Sequence, residues 1–230
     1  MRRAALVTGG SSGIGLAIAR VLREEGFELT LASRTREKVE AAAADLGALA
    51  VAADVADEDE CRRAVEEHRE RHGRLDVLVN SAGVGIAGRI DELETKHIDL
   101  QLDVNLRGLM LVTAAALPLL REAHGLIVNI ASIAGTIPSP RLPVYGAAKA
   151  AVIQFTTTLN RAEDEHGVRA TALSPGFVDT PMTEWAPVPP ERMIRPEDCA
   201  EIVRMLLRVS PYARIPHVVI ERVEAGGFGA

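Results

Sequence analysis

Short apolar runs alternate along the chain with longer stretches in which apolar residues recur every three or four positions. The first run covers 4–7 and leads through a glycine-rich turn into helical spacing over 14–25. Short continuous runs predict buried strands, and the longer spacing predicts amphipathic helices. The whole pattern predicts strands at 4–7, 27–32, 48–53, 75–79, 126–131, 168–173 and 217–220, and helices at 14–25, 35–46, 57–72, 95–121, 145–165 and 197–209.

This alternation of strands and helices indicates the fold class. Strands that are apolar on both faces need cover on both faces, and helices between successive strands provide it. The pattern therefore predicts an α/β fold with a doubly wound, mostly parallel seven-stranded sheet of the Rossmann type. No linker divides the sequence, so 1–230 is predicted to be a single domain. The segment 181–196 holds five prolines and is either a loop over a site or a surface connection.

Composition and charge narrow the possible partners. With 25% charged and 47% apolar residues, the chain is typical of a globular protein and not of a disordered one. A formal net charge of −6 gives no positive field for nucleic acid or anionic lipid. The apolar run 108–120 is too short to span a bilayer, and Arg2-Arg3 is not followed by the apolar stretch of a secretion signal. We therefore expect a small-molecule partner, no nucleic acid and no membrane.

The cysteines and histidines show no metal-binding pattern. Cys61 and Cys199 lie far apart without Cys-x-x-Cys spacing, which argues against structural zinc and favours free thiols in a reducing compartment. His68 and His72 have the i,i+4 spacing of a metal pair, but they lie in a heavily charged run. We expect both histidines to be solvated surface residues, and we predict a cytoplasmic protein with no metal site.

Gly9, Gly13 and Gly15 directly follow the first predicted strand and open the first predicted helix. Glycine amides at a helix N-terminus can approach a pyrophosphate without an obstructing Cβ, and the helix dipole favours an anion there. The GxxxGxG spacing is a variant of the dinucleotide fingerprint, although a tight strand-to-helix turn is the structural alternative. A P-loop is disfavoured because Leu16-Ala17 stands where that motif has Lys-Ser/Thr.

The end of the second predicted strand bears on the choice of dinucleotide. An NAD site usually has a carboxylate about 20 residues after the glycines, where it binds the ribose 2′-hydroxyl. Ser33 stands at this position, and the adjacent Arg34 can form charge-assisted hydrogen bonds to a 2′-phosphate. We therefore predict NADP(H) as the cofactor, against the alternative that Arg34 is an ordinary exposed arginine.

The most specific pattern is Tyr145-x-x-x-Lys149. With two tyrosines and three lysines in 230 residues, chance would produce this spacing only about 0.03 times. An i,i+4 spacing places both side chains on one face of a helix. An ammonium about 5 Å from a phenol, at an effective dielectric of ~20, contributes about 3 kcal/mol and predicts a Tyr145 pKa of roughly 8. Such a phenol can donate or accept a proton near neutral pH.

A set of motifs over residues 4–180 carries a family resemblance. They are Thr8-Gly9-Gly10-Ser11-Ser12-Gly13-Ile14-Gly15, Asp54-Val55, Asn80-Ser81-Ala82-Gly83, Asn105, Ser132, Tyr145-x-x-x-Lys149 and Pro175-Gly176-x-x-x-Thr180. In this order and spacing, the chain resembles the short-chain dehydrogenase/reductase family of the classical type. Three features depart from it: Ser81 replaces the more usual Asn, the 181–196 loop is short, and the ending 211–230 lacks the family's usual glycine-marked pattern.

The resemblance implies a role for each matched residue. It implies that Tyr145 is the general acid/base, that Ser132 hydrogen-bonds the substrate oxygen, and that Lys149 binds the nicotinamide ribose and lowers the tyrosine pKa. It also implies that Asn105 holds a water in a proton relay. With the glycine and phosphate analysis above, the predicted cofactor-binding residues are Gly9, Ser11, Ser12, Gly13, Ile14, Gly15, Ser33, Arg34, Asp54, Val55, Asn80, Ala82, Gly83, Tyr145, Lys149, Pro175, Gly176, Val178 and Thr180.

The resemblance also implies an activity. We expect an NADPH-dependent oxidoreductase that transfers a hydride between the nicotinamide and a carbonyl or alcohol substrate, in a homodimer or homotetramer. A 3-oxoacyl-acyl-carrier-protein reductase is one alternative, and it would need a basic docking patch, for which Arg89, Arg107 and Arg141 are candidates. A non-catalytic NADP(H)-binding sensor is another. An esterase is disfavoured because Ile130 replaces the first glycine of a GxSxG motif around Ser132.

Overall fold

Seven parallel strands form one sheet in the computed structural model, which describes residues 2–223. Their order across the sheet is β3-β2-β1-β4-β5-β6-β7. The strands are β1 Ala4–Thr8, β2 Glu28–Ser33, β3 Leu49–Ala52, β4 Val77–Asn80, β5 Leu126–Ile130, β6 Arg169–Pro175 and β7 His217–Ile220. All six pairings are parallel. The predicted doubly wound seven-stranded sheet is therefore confirmed.

Seven α-helices connect or follow these strands: α1 Gly13–Glu24, α2 Arg36–Leu46, α3 Glu58–His72, α4 Thr95–Leu102, α5 Gly108–Ala123, α6 Pro143–Ala162 and α7 Pro196–Arg208. Each predicted helix is present within a few residues of its expected bounds. The predicted helix 95–121 differs in one respect, because a π-helical turn at Asp103–Arg107 separates α4 from α5. Single π turns widen a helix locally and often occur at functional sites.

The hydrophobic core has two layers, one on each face of the sheet. Leu29 and Leu31 of β2 are buried on the face covered by α1, α2 and α7, whereas Leu6 and Leu78 are buried on the face covered by α3 and α5. Each fully buried leucine contributes roughly 2 kcal/mol by removal from water. Strands that are apolar on both faces thus form the interior of the fold, as their continuous apolar runs predict.

The strand order places a crevice at the carboxyl ends of β1 and β4. From β1 the chain continues outward through β2 and β3, and from β4 it continues in the opposite direction. Connections that diverge from two neighbouring strands leave an open space between them, where ligands of doubly wound sheets bind. The predicted site residues are therefore expected at this edge of the sheet.

His68 corrects one expectation. It is fully buried, with Nδ1 2.8 Å from Thr30 Oγ1 and Nε2 2.9 Å from the Arg74 carbonyl oxygen. Burial lowers its pKa to about 4. The charged run hides a buried stripe on α3, made of Cys61, Ala64, Val65 and His68, so the prediction of a solvated histidine is wrong there. His72 is half-buried, with its ring 4.9 Å from that of His68.

The helical stretch Thr95–Ala123, counted through the π turn, is long and apolar enough to match a membrane span in length and composition. The sequence estimate considered only 108–120 and so understated this stretch. Core helices of water-soluble folds have the same properties. Here Val112, Ala116 and Leu120 are buried in the layer beneath the sheet. We therefore describe it as a core helix.

Two segments near the C-terminus complete the fold. The proline-rich segment 181–196 contains short 3₁₀ turns at Pro181–Thr183 and Pro190–Arg192. Its end is fixed by a backbone hydrogen bond from Ile194 N–H to Phe177 O at 2.9 Å. The atypical ending 211–230 is described as far as residue 223 and includes β7, whereas 224–230 lies outside the described residues.

Candidate active site

The turn after β1 requires glycine at two positions. Gly9 and Gly13 have φ angles of +64° and +52°, in the left-handed region that L side chains avoid. A Cβ on Gly9 would lie 2.7 Å from the Ala82 backbone nitrogen, and one on Gly13 would lie 3.0 Å from Thr180 Cγ2. These glycines let the turn pass close to the neighbouring segments of the crevice.

The N-terminus of α1 opens into this crevice. The N-cap residue Ser12 makes no side-chain cap within the described chain, and Ser12, Gly13 and Ile14 all line the cavity there. The first amides of a helix have no carbonyl partner within the helix, and the dipole gives them a partial positive charge. This end of α1 is therefore suited to bind a diphosphate.

The cavity has a volume of about 660 Å³ and runs from the end of β2 to the segment after β6. Most predicted site residues line it: Gly9, Ser11, Ser12, Gly13, Ile14, Ser33, Arg34, Asp54, Val55, Ala82, Gly83, Ser132, Tyr145, Lys149, Pro175, Gly176, Val178 and Thr180. Three predicted residues do not line it, namely Gly15, Asn80 and Asn105. Gly15 instead allows close packing, since a Cβ there would lie 2.4 Å from the Gly9 oxygen.

The β2 end of the cavity carries two cationic side chains. Arg34 and Lys38 are exposed and line the cavity, and neither forms an ion pair within residues 2–223. Ser33 is hydrogen-bonded to Ser11, with 2.8 Å between the two hydroxyl oxygens. The sequence reasoning missed Lys38, although a basic residue four positions after Arg34 was a readable signal. Together these cations make one end of the cavity suited to a phosphate.

Asp54 and Val55 form the wall next to this end. The Asp54 carboxylate accepts a hydrogen bond from the Ala56 backbone amide at 3.0 Å, and the Asp54 amide donates to Glu60 Oε2 at 2.7 Å. Asp54 therefore stabilises its own turn as well as lining the cavity. This role in the turn is compatible with the predicted role of Asp54 in cofactor binding.

Ser132, Tyr145 and Lys149 meet at the opposite end of the cavity. Ser132 follows β5 and precedes a short 3₁₀ turn, Ile133–Gly135, and both other residues lie on α6. This turn packs tightly against α6, because a Cβ on Gly146 would lie 2.8 Å from the Ala134 oxygen. The small residue at position 146 thus brings the serine and tyrosine together, a role that the sequence reasoning did not assign.

Lys149 is buried beside the tyrosine. Its Nζ donates a hydrogen bond of 2.7 Å to the Ile130 carbonyl oxygen and lies 5.5 Å from the centre of the Tyr145 ring. Burial lowers the pKa of Lys149 to about 8, because the charged form loses its hydration. The ammonium is therefore still mostly protonated at neutral pH, and it can act as a hydrogen-bond donor at the tyrosine end of the cavity.

The expected Tyr145 pKa of roughly 8 is not what the structure gives. Burial raises the Tyr145 pKa above its ordinary value, and hydrogen bonding with the nearby Ser132 hydroxyl opposes this to a smaller extent. The sequence estimate counted the Lys149 charge and omitted the desolvation of the phenol. In this structure Tyr145 is therefore a neutral phenol at neutral pH, ready to donate a proton.

Asn105 lies in the π turn and binds a neighbouring segment instead of lining the cavity. Its Oδ1 accepts from the Val84 amide at 3.1 Å, while its Nδ2 donates to the Val84 oxygen at 2.7 Å. One helical turn earlier, buried Gln101 accepts from the Ile86 amide at 3.1 Å. Two side chains thus hold 84–86 against the helix. Gln101 is a residue that sequence reasoning missed, because a glutamine in a helix that also contains Lys96, His97 and Asp99 gives no sign of burial.

Asn80 ties strands together beneath the site. Its Nδ2 donates to Asn129 Oδ1 at 2.9 Å and to Thr113 Oγ1 at 3.0 Å. Asn129 in turn donates to Thr156 Oγ1 at 2.9 Å. The structure therefore gives the Asn80 side chain a buried structural role, and this predicted cofactor-binding residue does not line the cavity.

The segment 181–196 begins over the cavity. Thr180, Pro181, Met182 and Thr183 line it, and Trp185, 47% exposed, packs edge-on against Phe177 with 6.3 Å between ring centres. The first part of this segment therefore borders the site, as one of the two sequence interpretations requires.

The fold and cavity define a class of protein. A doubly wound sheet, a glycine turn at a helix N-terminus and a tyrosine-lysine pair at the far end of one cavity are features of NAD(P)-dependent oxidoreductases. A family model described as short chain dehydrogenase matches residues 3–187, and the chain belongs to this family. The resemblance found in the sequence is confirmed.

Individual proteins agree with this assignment. An uncharacterized oxidoreductase of Staphylococcus epidermidis is 36% identical over 227 residues, which cover 96% of this chain and 97% of that protein. An alcohol dehydrogenase of the archaeon Thermococcus sibiricus, complexed with 5-hydroxy-NADP, has a TM-score of 0.91 at 29% identity over 98% of this chain and 99% of that one. A 3-ketoacyl-(acyl-carrier-protein) reductase of Brucella melitensis, complexed with NADH, has a TM-score of 0.89 at 29% identity over 95% and 96%.

Proposed function

We propose that this protein is an NADPH-dependent oxidoreductase that interconverts a carbonyl compound and an alcohol, with Tyr145 as the general acid/base. The observation that carries the proposal is the meeting of Tyr145, Ser132 and Lys149 at one end of a cavity whose other end fits a nucleotide phosphate. The reaction class follows from the family, and the assignment of these three residues to the reaction follows from their positions in the cavity.

The residues that would hold the cofactor fit a dinucleotide. The uncapped amides of α1 suit the diphosphate, Asp54 and Val55 border the adenine region, and Thr180 lies at the catalytic end. When bound, a nicotinamide dinucleotide supplies or takes up the hydride that is exchanged with the carbon of the substrate. The remaining requirements, a proton and a stabilised oxygen, fall to the side chains of this chain.

In the direction of reduction, Tyr145 donates its phenolic proton to the carbonyl oxygen, and the product is the alcohol. Ser132 donates a hydrogen bond to the same oxygen and stabilises the charge that develops on it. The ammonium of Lys149 stabilises the phenolate that remains, since an opposite charge nearby favours the ionised form. In oxidation, the same groups act in reverse, with the phenolate accepting the proton.

Asn105 has a place in the return of the proton. A Cβ on Gly83 would lie 3.0 Å from Asn105 Oδ1 and 3.7 Å from Lys149 Nζ, so both atoms face the same side of Gly83. A water can bridge two polar groups that face a common space. We propose that a water held here by Asn105 passes protons to Lys149 and then to Tyr145.

The preference for NADPH rests on the cations at the β2 end. Arg34 and Lys38 have no acidic partner among the described residues, so both are available to a 2′-phosphate. The end of β2 offers Ser33 and no carboxylate to a free ribose hydroxyl. The Thermococcus sibiricus structure with 5-hydroxy-NADP supports this preference, whereas the Brucella melitensis structure with NADH leaves the family open to both cofactors.

A 3-oxoacyl-acyl-carrier-protein reductase is the second candidate, favoured by the Brucella melitensis neighbour. Its docking patch is weakened here, because Arg89 is paired with Asp91 at 2.9 Å and Arg107 lies 3.8 Å from Glu58. A non-catalytic sensor would need none of the four catalytic side chains. Activity of this chain on free carbonyl compounds separates both alternatives from the main proposal.

The assembly and the location complete the proposal. Leu100 and Leu102 of α4 are 38% and 37% exposed, and exposed apolar side chains of this kind suit contact with a second copy of the chain in a homodimer or homotetramer. Cys61 and Cys199 are free and buried, and burial raises their pKa values to about 11 and about 12. Two unpaired thiols fit a cytoplasmic protein.

The test is a screen of ketones, aldehydes and alcohols with NADPH, NADH and the oxidised forms, followed by absorbance of the nicotinamide. The proposal expects NADPH consumption with at least one free carbonyl compound and weaker activity with NADH. Reduction of acyl thioesters alone would favour the acyl-carrier-protein reductase. Tight NADPH binding without turnover of any compound in the screen would favour the non-catalytic sensor. Size-exclusion chromatography with light scattering measures the oligomeric state.

A further inference from the structure

The charges along the cavity are distributed unevenly. Among the cavity-lining residues, Arg34, Lys38 and Asp54 lie at the β2 end, and Lys149 is the cation at the Tyr145 end. Lys149 donates one hydrogen bond to the Ile130 carbonyl oxygen, and the proposed mechanism assigns its charge to the Tyr145 phenolate. A carboxylate or phosphate on the substrate would therefore compete with the phenolate for the one cation that lines this end of the cavity.

Next to Tyr145 the wall of the cavity has a notch at Gly85. A Cβ at this position would lie 3.8 Å from Tyr145 Cδ2 and 3.9 Å from Met182 Sδ. The edge of the aromatic ring, the thioether and the glycine backbone bound the space, and two of these three surfaces are apolar. A thioether is polarizable and adapts to apolar groups of different shape. The notch thus offers contacts to a hydrocarbon group rather than to a charged one.

The segment that forms the notch is held in place. Gln101 accepts from the Ile86 amide, and Asn105 bonds both the amide and the carbonyl of Val84. The residues on either side of Gly85 are thereby fixed to the helix that carries the π turn. A wall supported in this way can discriminate between substrate substituents by size, because its backbone is held in position and does not adjust to a larger group.

Resting on the proposed function, we propose that the substrate is an uncharged carbonyl compound with an apolar substituent that occupies the notch at Gly85, and that Gly85 sets the size of that substituent. The carbonyl oxygen faces Tyr145 and Ser132, and the apolar substituent lies against the tyrosine edge and Met182. Substrates that carry a carboxylate or phosphate close to the carbonyl are disfavoured by the same arrangement.

Gly85→Ala tests this directly. Gly85 does not have a positive φ, and the added methyl would stand at ordinary van der Waals distances from its neighbours, so the fold should tolerate it. The methyl would fill the notch. Gly88→Ala is the matched control, since Gly88 lies on the same segment and a Cβ there would meet nothing within 4 Å. Thermal unfolding and NADPH titration of both variants verify fold and cofactor site.

The assay compares the wild type and both variants on methyl ketones with a second substituent of increasing bulk, and on 2-oxo acids of matched size. Calorimetric binding of an unreactive carboxamide of the same shape, in the presence of NADPH, gives a readout that does not require turnover. We expect Gly85→Ala to lower kcat/KM at least tenfold for the bulkiest ketones accepted by the wild type and to weaken binding of the carboxamide. The smallest ketones and all Gly88→Ala values should change less than twofold.

Three results would contradict the inference. A preference of the wild type for 2-oxo acids over ketones would overturn the uncharged substrate class. An equal effect of Gly85→Ala on small and bulky ketones, or no effect on either, would remove the notch from substrate binding. Absence of turnover on every carbonyl compound would overturn the proposed function itself, and this inference with it.

Discussion

Acidification should destabilise this protein through His68. The imidazole is fully buried on α3, where it contacts Thr30 Oγ1 and the Arg74 carbonyl oxygen. Burial lowers its pKa to about 4, whereas a histidine in the unfolded chain titrates near 6.5. The unfolded chain therefore binds a proton in a pH range where the folded chain does not, and protonation favours unfolding.

The size of the effect follows from the difference between the two pKa values. The stabilising contribution is complete above about pH 6.5 and is lost as the pH falls towards the folded-state pKa of about 4. About 2.5 pK units at 1.36 kcal/mol each correspond to roughly 3 kcal/mol over the whole range. Between pH 7 and pH 5, linkage predicts that His68 alone lowers the free energy of unfolding by about 2 kcal/mol.

The assay is urea unfolding of the wild type and of His68→Gln at pH 7 and pH 5, followed by circular dichroism. Glutamine can still donate to the Arg74 oxygen and accept from Thr30, but it does not titrate. The variant should therefore lose about 2 kcal/mol less than the wild type between the two pH values, whatever its stability at pH 7. An equal loss in both proteins would refute the reasoning, since another group would then cause the acid sensitivity.

Two further perturbations test other parts of the account. Replacing Arg34 and Lys38 together with leucine should weaken NADPH binding by ten- to over a hundredfold, because the charged contacts of these two exposed side chains to one phosphate contribute about 1.5–3 kcal/mol together. NADH binding should stay unchanged in that variant, and Lys96→Leu, which removes a lysine paired with Glu94, should match the wild type in both titrations. Gln101→Leu leaves the Ile86 amide without its acceptor and should destabilise the fold by about 1–3 kcal/mol. The same variant should raise KM for the carbonyl compound with little change in NADPH affinity, and an unchanged KM would mean that this segment does not bind substrate.

The fold was predictable because its signal is repeated along the chain. Each strand is a short apolar run, and each helix has its own periodicity, so small errors in boundaries did not alter the predicted succession of strands and helices along the chain. The glycines at 9 and 13 were predictable for a similar reason, since the chain between a strand and a helix has to turn sharply there. Local patterns were sufficient for these features.

Features that depend on three-dimensional surroundings were not predictable in the same way. The charged residues around His68 concealed a buried face, and the direction of the Tyr145 pKa depends on desolvation that spacing does not reveal. Asn80 lies in a motif near the cavity, yet its amide points to Asn129 on the next strand. Lys38 reaches the site only because α2 begins beside the end of β2.

The central claim is that Tyr145 transfers the proton in an NADPH-dependent carbonyl reduction, and Tyr145→Phe tests it most directly. The substitution removes one hydroxyl and leaves the ring to pack on α6. With a carbonyl compound that the wild type reduces, turnover should fall by a factor of at least ~10², while calorimetric NADPH affinity remains within a few-fold of the wild type. Near-normal turnover in the phenylalanine variant would contradict the account, because the proton would then come from another group.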